Sequence, residues 1–198
     1  MTLFHILRHG EHALQGRIVA GRMPGIGLSE RGRSEVAAAA ERLVDAGIAA
    51  IYASPLERAG ETAGIVAARL GLEVTIRDEL IELDFGEWTG STFDQVRKHP
   101  HWPAWANHRS IATIPGGETM RAVQRRIVET LIELHHTHGD GGVVLVSHGD
   151  VIRAALAFAL GMPIDYLTRI EVATGSLSTV RIDAGGIRVV NINDRARL

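Results

Sequence analysis

The chain has 198 residues, 45% of them hydrophobic and 22% charged, with a formal charge of −2 at pH 7; this balance suits a folded domain and excludes a disordered tail protein. A chain of this length buries roughly 70% of the surface that its unfolded form exposes, enough for a substantial core. No apolar run approaches the roughly 20 residues that span a bilayer, the slight negative charge argues against a nucleic-acid or membrane role, and without cysteine there is no disulfide or thiolate chemistry.

Leu3, Phe4, Ile6 and Leu7 are interrupted by His5 and stopped by Arg8. This start lacks the shape of a secretory signal, so a cytoplasmic location is expected. Apolar runs rich in β-branched residues alternate with helix-period segments, the pattern of an α/β domain with a largely parallel sheet. No repeat or linker divides the chain, and a single domain over residues 1–198 is expected.

Residues 2–7 read as the first strand. A helix follows from a Ser29 cap through the alanine-rich stretch to Ala46, where Gly47 stops it. Residues 48–53 form a second strand, and Ser54-Pro55-Leu56-Glu57 opens the next helix with an N-cap, a first-turn proline and a capping-box glutamate. Residues 73–77 are a third strand. Between 91 and 115 three prolines and two tryptophans break the pattern, predicting a partly helical, cap-like excursion over the sheet's edge. Then come a helix over 117–138, a strand over 142–146 and a helix over 150–160. Two strands over 176–182 and 187–192 are joined by the hairpin signal Asp183-Ala184-Gly185-Gly186.

Two strands end alike, in Arg8-His9-Gly10 and in Ser147-His148-Gly149. Ligands of open parallel sheets bind at the carboxyl ends of strands, so both imidazoles fall where a site is expected. Each following glycine permits an unusual turn or a close approach to a ligand. A lone strand-end histidine is ordinarily satisfied by a neighbouring carbonyl; the repetition, with Arg8 beside the first, weakens that bland reading. Arg58 lies one turn into a helix whose free N–H groups favour an anion, and its guanidinium adds a fork for phosphate oxygens, although a solitary helix arginine is usually solvated. Glu82 is flanked by Ile81 and Leu83. Burial among such neighbours would raise its pKa toward the range of a general acid, whereas alone it reads equally as a surface glutamate.

Arg8-His9-Gly10-Glu11, Leu28-Ser29-Glu30-Arg31-Gly32, Ser54-Pro55-Leu56-Glu57-Arg58-Ala59, Glu82 through Trp88, Pro115-Gly116-Gly117-Glu118 and Ser147-His148-Gly149 follow one another in order. Together they resemble the successive motifs of the histidine phosphatase superfamily, the phosphoglycerate-mutase-like family. The resemblance implies a three-layer α/β/α sandwich with a mostly parallel central sheet, and a phosphate pocket of Arg8, His9, Arg58, Glu82 and His148, with Gly10 and Gly149 beside the histidines. It further implies a metal-independent phosphomonoester hydrolase. A neutral His9 attacks phosphorus and becomes a phosphohistidine; Arg8, Arg58 and a cationic His148 face the equatorial oxygens; Glu82 protonates the leaving alkoxide and then takes a proton from water. No metal and no cofactor are expected. The expected partner is a small-molecule phosphomonoester, with no nucleic acid and no membrane, and a homodimer is left open.

The sequence departs from the family's common pattern after Glu11. Many members continue with threonine or serine and then a Trp-Asn pair, whereas here His12-Ala13-Leu14-Gln15 follow. Gln15 is expected to replace the asparagine contact to phosphate, or else Arg17 or Arg22 enters the site; His12 either lines the entrance or faces solvent. Between Ser91 and Ser110 the charges Arg97, Lys98 and Arg109 stand against Asp94 alone, a basic lid that favours a substrate with negative charge beyond its phosphate. Trp88, Trp102, Trp105 and Phe93 are expected to pin this lid to the sheet.

Competing readings are weaker. The lone Lys98 does not follow a glycine, Gly25-Ile26-Gly27 meets Glu30 where a dinucleotide fingerprint needs glycine, and Ser147 lacks the glycine of a nucleophile elbow. His135, His136 and His138 sit at a helix carboxyl terminus, where cationic side chains suit the dipole better than they suggest a metal. A non-catalytic phospho-ligand-binding module would have lost one of the pocket residues, and none is lost. Transfer to a second phosphoglycerate hydroxyl, as in a mutase, is the remaining alternative; Asn193 to Leu198 make too short a tail to close the pocket, so water is the expected acceptor.

Overall fold

The computed structural model describes residues 1–195; the end of the short tail, residues 196–198, lies outside them. Six strands form one sheet: β1 (Thr2–Arg8), β2 (Ile48–Ala53), β3 (Val74–Ile76), β4 (Gly141–Ser147), β5 (Leu177–Asp183) and β6 (Gly186–Asp194). Their order is β3-β2-β4-β1-β5-β6. The first four are mutually parallel, and the β5–β6 hairpin adds two antiparallel strands at one side. Six α-helices accompany them, α1 (Glu30–Glu41), α2 (Glu57–Leu70), α3 (Phe93–Arg97), α4 (Trp102–Asn107), α5 (Met120–His138) and α6 (Gly149–Ala159).

Side-chain alternation along the buried strands makes the layers. Phe4 and Ile6 of β1 and Val143 and Leu145 of β4 point into a core shared with α5 and α6. Leu7, Val144 and Val146 point the other way, into a core made with α1 and α2. This is the expected three-layer sandwich with a mostly parallel sheet. Residues 91–115 extend the α5–α6 side: Trp88, Trp105, Val96 and Ile114 are buried in that core, and Trp102 packs against it. The tryptophans pin the excursion as expected, but Phe93 does not: it stays outside the core and exposed.

Element ends differ where tertiary contacts outweigh local signals. Ser29 caps α1 by accepting from Gly32 N–H at 3.0 Å, but the regular helix stops at Glu41 and residues 42–46 finish in turns rather than running to Ala46. The capping box at Ser54 does not form. Leu56 is the N-cap residue of α2, the Ser54 hydroxyl is drawn to His148, and the Glu57 carboxylate accepts from Gly25 N–H at 2.8 Å. Helix α5 starts at Met120 under a Thr119 cap, because Gly117 is pressed against the Asp84 carbonyl and Glu118 N–H donates to that same oxygen at 2.9 Å. Helix α6 begins at Gly149, one residue early.

The first strand's exit is fixed by two glycines. A Cβ on Gly10 would overlap the Gly32 carbonyl, and one on Gly32 would overlap the Glu11 backbone, so the segment after His9 lies directly on α1. Gly32→Ala is expected to lower stability by about 1–3 kcal/mol through overpacking and to reduce activity without touching the pocket. Urea denaturation with a parallel assay checks this; an unchanged midpoint and rate would refute the close approach.

Candidate active site

In the register of β1 with β4, Arg8 stands opposite Ser147, so the next residue of each chain, His9 and His148, emerges at the same level. His9 N–H donates to the Ser147 carbonyl at 3.0 Å, and the two ring centroids are 5.1 Å apart. Both side chains are buried.

Partners define the state of the His9 ring. Nδ1 lies 2.8 Å from the Gly10 carbonyl, which can only accept, so Nδ1 carries the hydrogen. At 3.3 Å from Nε2, Arg58 Nε can only donate, so Nε2 presents a lone pair. The ring is therefore neutral with its basic nitrogen on the arginine side. Burial is the main force that holds His9 well below its usual pKa, and the Arg8 and Arg58 charges add to it.

Arg58 reaches this place from the first turn of α2 and donates through Nη2 to the Gly21 carbonyl at 2.7 Å. Arg8 donates through Nη1 to the Val172 carbonyl at 2.6 Å. Arg58 Nη1 and Arg8 Nε are buried without a hydrogen-bond partner, donors that suit phosphate oxygens. Gly149 lets the chain pass this cluster: a Cβ there would meet the Arg8 and Arg153 guanidinium groups.

His148 differs from expectation. Its Nε2 shares a hydrogen bond with the Ser54 hydroxyl at 2.7 Å, and burial, followed by His9, Arg58 and Arg8, pushes its pKa well below the usual value. In the free protein burial above all favours the neutral ring, whereas the resemblance implies a cationic His148 facing phosphate. The ring sits behind the surface of the cavity, with Nδ1 unpartnered.

Glu82 stands half-buried on the cavity wall. Burial first and the Asp150 carboxylate second raise its carboxyl pKa to about 7, against the opposing pull of Leu83 N–H, Arg58 and Arg8. Its backbone is clamped. Arg22 Nε donates to the Glu82 carbonyl at 2.8 Å and Arg22 Nη2 to Glu118 at 2.9 Å, while Glu87 N–H donates to the Pro115 carbonyl at 3.0 Å. Arg22, considered as a substitute for the missing asparagine, thus holds the acid's loop instead of entering the site.

These groups open into a cavity of about 300 Å³. Gln15 and His12 both line it, Arg17 does not, and His12 is buried rather than solvent-facing, 5.5 Å from His9 ring to ring. The basic lid does not materialise. Arg97 pairs with Asp94, Arg109 lies 3.6 Å from Asp150 and 4.9 Å above the Trp105 ring, and neither they nor Lys98 lines the cavity; among excursion residues Phe93 does. Asp150 and Arg153, also on the wall, were missed. One signal was available, since they follow His148 within the first two turns of a helix that starts at the sheet's rim. Elsewhere, His135 and His138 hydrogen-bond Thr2 and Tyr52, and among the described residues no three His, Asp or Glu side chains gather as a metal site.

Over residues 4–195 the sequence matches the family model of the histidine phosphatase superfamily, branch 1. A bifunctional protein of Mycobacterium tuberculosis is 37% identical over 197 residues, which are 96% of this chain and 54% of that protein; the chain spans about half the length of the first curated relatives it matches. Phosphoserine phosphatase 1 of Hydrogenobacter thermophilus is 29% identical across 98% of this chain and 92% of its own. The solved structure of mycobacterial glucosyl-3-phosphoglycerate phosphatase superposes with a TM-score of 0.87 at 28% identity, covering 97% of this chain and 98% of that one. With the motifs, the sheet order and these matches in agreement, the chain belongs to the histidine phosphatase superfamily.

Proposed function

We propose that the protein is a phosphomonoesterase that hydrolyses a small phosphorylated metabolite through a phosphohistidine on His9. The observation that carries this reading is the His9 ring, whose Nδ1 hydrogen is committed to Gly10 and whose Nε2 lone pair faces Arg58. A neutral imidazole so held is a competent nucleophile, and the adjoining guanidinium groups match charge that develops on phosphoryl oxygens. A dianion bound beside Arg8, Arg58 and His12 would also favour the charged form of His12, against the burial and the arginine charges that lower it. The same-facing phosphatases among the relatives support a hydrolase, and the cytoplasmic setting read from the sequence belongs to the same proposal.

In the first half-reaction His9 Nε2 forms a bond to phosphorus as the ester P–O bond breaks. Glu82, protonated below about pH 7, gives its proton to the departing alkoxide. In the second, the Glu82 carboxylate takes a proton from water as that water's oxygen attacks phosphorus; the N–P bond breaks, and inorganic phosphate leaves with both groups restored. Water is the acceptor in this proposal because Arg97, Lys98 and Arg109 of the excursion do not line the cavity, which leaves no lid cation there for the carboxylate of an acceptor sugar acid. Among the described residues no helix is long and apolar enough to cross a membrane.

The intermediate is directly testable. Rapid quench with labelled substrate should trap an acid-labile, base-stable adduct, absent from His9→Ala; an adduct persisting in that variant would remove His9 from the nucleophile's role.

Glu82 yields two further expectations. For an alkyl ester, kcat should fall as pH rises through about 7 and beyond, and Glu82→Gln should abolish that limb with a loss of about 10²-fold or more, while a nitrophenyl ester, whose leaving group needs little protonation, loses less. Equal losses on both esters would assign Glu82 a purely structural part. The stability effect has the opposite benefit. A carboxyl raised from 4.5 to about 7 on folding contributes fully below pH 4.5 and loses that contribution as pH climbs through 7. Glu82→Gln should therefore stabilise the free protein more at pH 8 than at pH 5. The difference should be about 1–2 kcal/mol, below the roughly 3 kcal/mol that the whole shift represents, because cavity water screens the charge; denaturation at the two pH values measures it.

A further inference from the structure

We infer that the leaving group this protein accepts is uncharged and largely apolar, an alkyl or aryl alcohol whose hydrocarbon lies against Ile18, Phe85 and Phe93. The inference rests on the phosphatase reading and names the substrate class of the same site. The cavity lining is mostly polar and charged, with Gln15, Asp150 and Arg153 beside the groups around His9, but part of it is apolar. Ile18, Phe85 and Phe93 line one side of it, and Phe93 remains 38% exposed, an apolar ring at the rim of a charged pocket.

This wall is built in advance. Ile18 and Thr92 form an isolated antiparallel bridge, Val19 N–H donates to the Ser91 carbonyl at 2.9 Å, and Gly90 N–H donates back to Val19 at 2.9 Å. Thr92 then caps α3 with a complete capping box through Gln95, which fixes Phe93 as the first residue of that helix. The two segments that carry Ile18 and Phe93 are thus joined through their backbones, which fixes where these two side chains start before a hydrocarbon surface arrives.

Asp150 and Arg153, the charged wall residues away from the Arg8–Arg58 pair and Glu82, face each other, and Asp150 has a second arginine beside it. Arg153 donates through Nε to the Ile170 carbonyl at 2.9 Å and lies 3.5 Å from Asp150. Asp150 in turn has Arg109 on its other side at 3.6 Å. A carboxylate on the substrate would compete with Asp150 for these arginines, and an ammonium would compete with the arginines for Asp150. An uncharged apolar group competes with neither, and displaces water from the wall.

Esters of alcohols with similar leaving ability separate binding from chemistry: 3-phenylpropyl phosphate, glycerol 1-phosphate and 3-phosphoglycerate, compared by kcat/KM. The phenylpropyl ester should exceed both others by about 10-fold or more, the gain from removing roughly 55 Å² of apolar surface from water. Phe93→Ala should reduce its advantage over glycerol 1-phosphate by about 5-fold, and Phe93→Leu should recover most of it, which a folding defect would not do. A preference for 3-phosphoglycerate, or a Phe93→Ala variant with unaltered selectivity, would overturn the inference while leaving the phosphatase standing. If none of the esters releases phosphate and no phosphohistidine forms, the phosphatase reading falls and this inference falls with it.

Discussion

The rest of the site depends on one electrostatic circumstance: a buried and a half-buried guanidinium group flank one imidazole and are held mainly by neutral acceptors. Arg58 is 2% exposed and rests on the Gly21 carbonyl and His9 Nε2, while Arg8 rests on the Val172 carbonyl. Removing a cation from water costs several kcal/mol after relaxation, and only the Glu82 charge offsets this appreciably for both. A phosphate dianion supplies the complementary charge and the acceptor oxygens together. In the proposed reaction, affinity for the phosphoryl group would come from this arginine pair before any contact with the rest of the substrate.

The same field assigns protons. Burial lowers both histidines most, and Arg8 and Arg58 act in the same direction, so the proposed nucleophile would need no separate base to deprotonate it. Glu82 ought to be pulled down by those arginines, yet it rises, because burial and Asp150 outweigh them. Its position matters accordingly. The Pro115-Gly116-Gly117 turn, Arg22 and Glu118 hold the loop from outside, and Arg126 ties Glu118 back to α5 at 3.0 Å. The Pro115–Glu118 motif and Arg22 thus act as a scaffold for the Glu82 loop.

The floor of the site was legible in the sequence because strand alternation and the two His-Gly endings are local patterns whose consequence, emergence at the carboxyl edge of adjacent parallel strands, follows from topology. Arg8, His9, Arg58, Glu82, Gln15 and Gly149 all line the cavity, and His148 lies directly behind it. What was not legible depended on pairing across the chain. Ser54 looks like a helix cap because its neighbours fit that role, but a buried imidazole 94 residues away is the stronger partner for its hydroxyl. The lid looked basic because charges were counted along the chain. Arg109 is neutralised by Asp150 from α6, and Arg97 by Asp94 within its own helix, so the local excess never reaches the cavity.

Floor and mouth are consequently built by different kinds of structure. The floor hangs from the ends of β1 and β4, whose backbones are tied by a full parallel register and whose side chains are buried on both faces; a substitution there disturbs two cores at once. The mouth is made by residues 12–21 and the start of the excursion, joined to each other by a short bridge and anchored from below by Trp88 and Trp105. Exposed residues such as Phe93 can change without altering the tryptophan anchor or the arginine pair. Phosphoryl chemistry and choice of leaving group are thus nearly independent variables in this fold, and proteins that share its floor are free to differ in the alcohol they release.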